Sequence, residues 1–236
     1  MNLILLFDED FVDEDRVRLR GRRLSHVLKV LRAREGDELV VGRRGGSVGT
    51  GTVTQISAEA LEMKVVLDRE PPPAAALTLV LSLPRPSVLS RVIASATALG
   101  VKRIFLINSW RVERSFWGSA RLSDASLHDD LVEGLEQAKD TIFPSIELRR
   151  RFRPFVEDEL PAIASGTLRL VAHPSAAAEC PSMVRGPVTL AIGPEGGYIP
   201  NEIEMFERCG FEAVRYGERT LRVEPVIPAL IGRLGF

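Results

Sequence analysis

"LAIGPEGGYIPNEIEMFERCG", Leu190 to Gly210, joins two kinds of segment through five residues of little side-chain bulk. An apolar run ends at Ile192, Gly193-Pro194-Glu195-Gly196-Gly197 follows, and an acidic stretch closed by Gly210 reads as a helix. Buried strand, bare loop and helix form the repeating unit of an α/β sheet, whose ligands bind beyond the carboxyl ends of the strands. Glycine permits positive φ and lets a guest reach the main chain without meeting a Cβ. Glu195 and the lack of a nearby lysine argue against phosphate, so an adenine or ribose held by main-chain hydrogen bonds is the better guest. Taken alone, the loop fits a tight strand-to-helix turn with no ligand equally well, and its spacing is not that of GxGxxG.

A second glycine-marked strand end follows. "EAVRYGERTLRVEPVIPALIGRLGF", Glu212 to Phe236, reads as a strand over Ala213 to Tyr216, then Gly217, a polar connection and a final helix. That helix is expected to begin near Pro225, with Pro225 and Pro228 both in its first turn, where N–H groups lack intrahelical partners. Two neighbouring strand-end loops can clasp one cofactor.

Upstream, the alternation continues. "LTLVLSLP", "KRIFLIN", "SIELRRRF" and "LRLVAHP" read as strands. "PSVLSRVIASATALG" places Val88, Leu89, Val92, Ile93 and Ala96 on one helical face and ends at Gly100. "SDASLHDDLVEGLEQAK" aligns Leu127, Leu131 and Leu135, with Ser123 as the expected N-cap. A short helix is expected near "VEDELPAIA". The pattern predicts a mostly parallel sheet with helices on both faces.

Pro71-Pro72-Pro73 interrupts this order, and the linker is placed at residues 69–76. The preceding chain is β-rich: "DELVVGRR", "GTGTVTQIS" and "ALEMKVVLD", with "RRGGSVGTG" as a hairpin turn rather than a phosphate loop. "SHVLKVLR" reads as one short helix with Ser25 as N-cap, and "MNLILLFDEDF" as a strand rather than a signal peptide. A small barrel with one helix is expected.

Charged residues make up 27% of the 236 and hydrophobic ones 45%, which argues against disorder, and the longest apolar runs fall short of a bilayer span. Cys180 and Cys209 are expected as reduced thiols, with one disulfide as the alternative, and His26, His128 and His173 show no metal-ligand spacing, so no metal is expected. Net charge is only −1, yet Arg16 to Arg34 holds eight Lys/Arg and no acid, leaving −9 for the rest. Arg16, Arg18, Arg20, Arg22, Arg23, Lys29 and Arg32 are therefore candidate RNA-backbone contacts; a solvated surface is the alternative. "ELRRRFRPF", Glu147 to Phe155, is a second basic run that extends this footprint or stands apart from it.

"LAIGPEGGYIPNEIEMF" followed by "YGERTLRVE" resembles the signature pair of the SPOUT-class uridine-N3 methyltransferases of small-subunit ribosomal RNA. "HVLKVLRAREGDEL" and "EGLEQAKDTIFP" resemble that family's other segments, so the likeness spans the chain. It implies a PUA-like RNA-binding β-barrel at residues 1–70 and an α/β domain with a trefoil knot at 74–236. It further implies S-adenosylmethionine as cofactor, a homodimer, ribosomal RNA or the small subunit as partner, and a cytoplasmic location without a membrane. Carried over by motif, the cofactor residues are His173, Pro174, Gly193, Pro194, Gly196, Gly197, Gly217, Leu221 and Arg222. The chain departs from the family at Glu224-Pro225-Val226, where Glu-Thr-Ala is usual, and at Ser95, Ala98 and Ala138-Lys139-Asp140.

Methylation of uracil N3 requires the N3 proton to leave, and a cation near the base oxygens would stabilise the resulting anion. Arg222 and Arg114 are the candidates, with Glu224 accepting the proton or, preferably, orienting Arg222; a helix-entry ion pair and a solvated turn are the plainer readings. Trp110, Phe116 and Trp117 are expected in the core or at a dimer contact, with base stacking as the alternative. A non-catalytic RNA-binding or ribosome-assembly factor and a small-molecule nucleotide enzyme stand as competing functions.

Overall fold

The structure is a computed structural model describing residues 2–236. It divides into two compact units. The first runs to Pro73 and also takes in Val132–Phe143; the second is Ala74–Leu131 with Pro144–Phe236.

The first unit is a five-stranded sheet. Its strands are β1 (Ile4–Leu6), β2 (Arg16–Leu19), β3 (Glu38–Arg43), β4 (Val48–Ile56) and β5 (Leu61–Arg69), in the spatial order β1-β3-β4-β5-β2. Only β1–β3 is parallel. Alternation decides which side chains enter: Val17 and Leu19 point inward from β2 and Leu61, Met63 and Val65 from β5, so Arg16 and Arg18 face out. The Arg43–Ser47 turn closes the expected hairpin, with Gly45 at φ +70°. At Gly49 the register shifts, and an added Cβ would lie 1.8 Å from the Val66 carbonyl oxygen, so only glycine fits the bulge.

Helix α1 (Gly21–His26) starts earlier than expected. Its N-cap is Arg20, Ser25 lies inside it, and a π-helical turn over Val27–Leu31 follows. Leu24 and Val27 drop into the sheet's core, and burying both requires the chain to turn helical four residues before Ser25.

Val132–Phe143 joins this unit through packing that is distant in sequence. Val132 and Leu135 cluster with Leu3, Leu5 and Val48, and buried Glu136 accepts a hydrogen bond from the Leu5 N–H (3.4 Å). Burial raises the Glu136 pKa, opposed by that hydrogen bond and by Arg22 and Arg23. The boundaries 1–70 and 74–236 are linear and do not describe this stretch.

The second unit is a seven-stranded parallel sheet ordered β10-β12-β9-β11-β6-β7-β8. The strands are β6 (Ala75–Ser82), β7 (Val101–Ile107), β8 (Ser145–Arg149), β9 (Leu168–Ala172), β10 (Ala178–Glu179), β11 (Val188–Ile192) and β12 (Glu212–Arg215). β11 is buried along its whole length, with Leu190 beside Leu79 on β6 and Leu170 on β9. From β6 the chain winds outward to β8, then crosses to β9 on the far side of β11. That reversal is a topological switch point, where open sheets leave a crevice at the strand ends.

Helix α2 (Pro86–Ala98) buries Leu89, Val92, Ile93 and Ala96. Helix α3 (Asp124–Ala138) begins at Ser123, whose Oγ accepts from the Ser126 N–H. The expected short helix begins at Phe152: α4 (Phe152–Pro154) runs through a π-turn into α5 (Leu160–Ile163). In α6 (Pro200–Arg208), Phe206 packs edge-on against Phe152 and Phe211 at 5.6 and 5.3 Å. The last helix, α7 (Val223–Leu234), begins two residues before Pro225. Pro228 therefore falls inside it rather than in the first turn, and the Glu224 carbonyl loses its i+4 donor.

No helix among the described residues is long and apolar enough to cross a membrane. Cys180 and Cys209 are free thiols, with Cys180 pushed up to about 11 by burial.

Candidate active site

A cavity of about 440 Å³ lies within the second unit, at the carboxyl ends of β9, β11 and β12. One wall is the bare loop. Gly197 sits at φ +70°, and its N–H closes a turn on the Pro194 carbonyl (2.8 Å). A Cβ on Gly193 would come within 3.0 Å of the Tyr198 nitrogen, so the turn folds back over Gly193 because that residue has no side chain.

The side chains around this loop hold it in place. Tyr198 is fully buried and donates its phenol to the Ile192 carbonyl (3.1 Å), and burial raises its pKa. Glu195 accepts the Arg85 N–H (3.0 Å), and the Arg111 guanidinium donates to the Gly196 carbonyl. Glu202, only 5% exposed, accepts from the N–H groups of Trp110 (2.7 Å) and Ile199 (3.0 Å). The carboxylate thus caps α6 and fixes the turn after β7 in one contact set.

His173 forms the opposite wall. Its N–H bonds to the Val214 carbonyl, and its Nδ1 accepts from the Ser175 N–H (3.2 Å). Nε2 is thereby left as the donor and lies 3.9 Å from where a Gly197 Cβ would be. The third wall is Tyr216, Gly217 and Arg219–Leu221, and a Cβ on Gly217 would meet nothing within 4 Å. Ile192, Val223, Val226 and Leu230 supply apolar lining. Main-chain polar groups, an aliphatic surface and a bare glycine suit a flat nucleoside.

Of the residues expected at the cofactor, His173, Pro174, Gly193, Pro194, Gly196, Gly197, Gly217 and Leu221 all line this cavity. Arg222 does not: it is the exposed N-cap residue of α7. Glu224 does not orient Arg222. Both its oxygens are taken by Arg91, at 2.7 and 2.9 Å, and that pairing lowers its pKa. Arg114 lies in an exposed turn, Arg114–Gly118, outside the lining. Sequence reasoning missed Arg111, Arg219 and Thr220. The last two sit between Gly217 and Leu221 and were within reach, whereas Arg111 had no local signal.

In the first unit, the basic block proves unevenly paired. Arg16 pairs with Asp13, Arg18 with Glu62, and Arg23 makes a two-pronged contact with Asp10 and donates to the Leu5 carbonyl. Arg20, Arg22, Lys29 and Arg32 are exposed and have no acidic partner within salt-bridge distance among the described residues. In the second basic run, Arg149 pairs with Glu147 and Glu159, and Arg153 with Glu157. Among the described residues no group of three or more His, Cys, Asp or Glu side chains gathers as for a metal.

A family model described as an RNA methyltransferase domain matches residues 70–234. The chain belongs to that family. An RNA methyltransferase PUA domain model also matches, over residues 19–66. This methyltransferase is 30% identical over 231 residues to ribosomal RNA small subunit methyltransferase E of Treponema pallidum, covering 95% of this chain and 86% of that one. Among solved structures, ribosomal RNA small subunit methyltransferase E from Neisseria gonorrhoeae bound to S-adenosyl methionine matches with a TM-score of 0.74 at 23% identity, over 98% of this chain and 95% of the other. A Legionella pneumophila protein in complex with the same cofactor gives 0.77 at 21%, over 99% and 96%. At those identities the solved structures establish a shared fold.

Proposed function

We propose that this methyltransferase moves the methyl group of S-adenosylmethionine to uridine N3 in small-subunit ribosomal RNA. The cavity carries the reading: it has room for a nucleoside, edges it with main-chain groups and faces it with aliphatic side chains. The residues present fit that cofactor, with Gly217 leaving open space at the cavity wall and Gly197 bare beside His173. When bound, S-adenosylmethionine supplies an electrophilic methyl group on a sulfonium sulfur. The chain's own task is to position uracil N3, an effect that can reach roughly 7–11 kcal/mol, and to stabilise charge as the N3 proton leaves. Arg111 at the cavity wall, with Arg114 and Arg222 outside it, supplies the cations. Glu224 is held by Arg91, so its part in proton transfer requires that exposed pair to open.

The named relatives support ribosomal RNA as substrate, and the cofactor in the two solved structures supports S-adenosylmethionine. The PUA-type unit, with Arg20, Arg22, Lys29 and Arg32 exposed, provides the RNA-backbone contacts in this reading. A homodimer, a cytoplasmic location and the trefoil knot belong to the same reading. Calorimetry with S-adenosylmethionine tests the cavity; absence of heat and of thermal shift at millimolar cofactor removes it. Mass-spectrometric mapping of ribosomal RNA with and without the gene tests the target: a methyluridine lost on deletion and restored by the gene is expected. Unchanged modification would favour a non-catalytic assembly factor. Arg222→Ala should lose transfer more than cofactor binding, and unchanged turnover would take Arg222 out of the reaction.

A further inference from the structure

Trp110 is 79% exposed, although the turn that carries it is held tightly. The Val112 N–H bonds to the Ser109 carbonyl (3.1 Å), placing Trp110 and Arg111 at the two tip positions of a β-turn. Its feet are buried, Ser109 at 2% and Val112 at 7% exposed, and the Trp110 N–H is bound to buried Glu202. An indole is therefore presented to water from a fixed support, where a mobile loop would have let it fold away. Trp117 differs: its Nε1 donates to Asn108 (2.9 Å) and Arg150 lies over its ring at 5.3 Å.

We propose that Trp110 is a stacking platform for a nucleobase of the RNA substrate, beside the methyl-transfer cavity. The proposal rests on the RNA methyltransferase reading above. Two neighbours place the turn at the cavity: Arg111 lines it, and Glu202, which holds the Trp110 N–H, sits in the first turn of α6 next to lining residue Pro200. Trp110 itself is not in the lining, so its guest is what arrives from outside, the substrate, and not the cofactor. The guest in this reading is a base: Arg111, Glu113 and Arg114 are exposed beside the indole, and because Trp and Arg also mark protein interfaces, a protein contact is the outcome the sedimentation arm below distinguishes. An exposed aromatic face followed in the chain by Arg111 and Arg114 matches a base and its phosphates, and every base offers a π-face.

Fluorescence and binding with a twelve-residue oligouridylate test this, alongside methyl transfer to naked small-subunit ribosomal RNA. Oligouridylate should quench the emission of the wild type and of Trp117→Phe but not of Trp110→Phe. Trp110→Ala should weaken oligouridylate binding by about 5- to 150-fold, the range of one lost stack, while Trp110→Phe stays within a few-fold. In transfer, Trp110→Ala should raise KM for RNA and leave the calorimetric Kd for S-adenosylmethionine unchanged. Unaltered oligouridylate affinity in Trp110→Ala overturns the platform, as does quenching that persists in Trp110→Phe. So does an affinity loss accompanied by subunit dissociation in sedimentation, which would make Trp110 a protein contact. Each of these leaves the methyltransferase reading standing, whereas a wild type that binds no S-adenosylmethionine removes that reading as well.

Discussion

Loop Gly193–Gly197 presents main-chain groups, and nearly every side chain around it is spent on holding them: Tyr198 on Ile192, Glu195 on Arg85, Arg111 on Gly196, Glu202 on Ile199 and Trp110. Stretch Arg16–Arg34 does the opposite. It presents side chains, and some are withdrawn by Asp10, Asp13 and Glu62, acids lying outside the stretch. A site of bare backbone survives folding largely as written, because glycine has no side chain to be claimed by a neighbour. A site of charges is edited by folding, because any acid the sheet brings alongside neutralises one of them.

The largest effect should come from breaking the backbone site. Gly197→Val puts a β-branched side chain at φ +70°, facing His173. L-residues lose about 1–2 kcal/mol in that region before any clash, so S-adenosylmethionine affinity should fall by more than roughly tenfold in calorimetry. Next, Arg23→Ala should destabilise the first unit by about 3 kcal/mol in urea unfolding, since it strands Asp10, whose side chain is 6% exposed. Arg22→Ala should leave stability within about 0.5 kcal/mol yet lower the salt slope of RNA binding by about one phosphate contact. Equal outcomes for Arg22 and Arg23 would erase the distinction between unpaired and withdrawn charges. The smallest effect concerns Glu136. Burial raises its folded pKa, so the folded state disfavours its charged form and loses stability as pH rises from the unfolded value through the folded one. Glu136→Gln keeps an acceptor for the Leu5 N–H and should flatten the loss of stability that sets in as pH rises above the ordinary carboxylate range, read in denaturant melts.

Legibility followed range. Strand ends marked by Gly193–Gly197 and Gly217 could be read because each is a local need of the chain, and so could the buried face of α2 and the Ser123 cap. Ser25 was misread as a cap because the choice of where α1 begins lies with the core that receives Leu24 and Val27. Pro228 was misplaced because α7 starts at Val223, which is itself buried. Trp110 was expected in the core or at a dimer contact; the Ser109–Val112 turn leaves it largely exposed, which takes it out of the core of this chain.

By itself, the order of residues determined a parallel sheet preceded by a small β unit, and two glycine-marked strand ends able to share one guest, since periodicity and freedom from Cβ act within a few residues. Tertiary structure alone decided that Arg111 reaches Gly196, that Glu224 goes to Arg91 and not Arg222, and that Val132–Phe143 belongs with the first unit. Those outcomes depend on which distant segments the sheets bring within about 3 Å of one another, a hydrogen-bonding distance that no local pattern encodes.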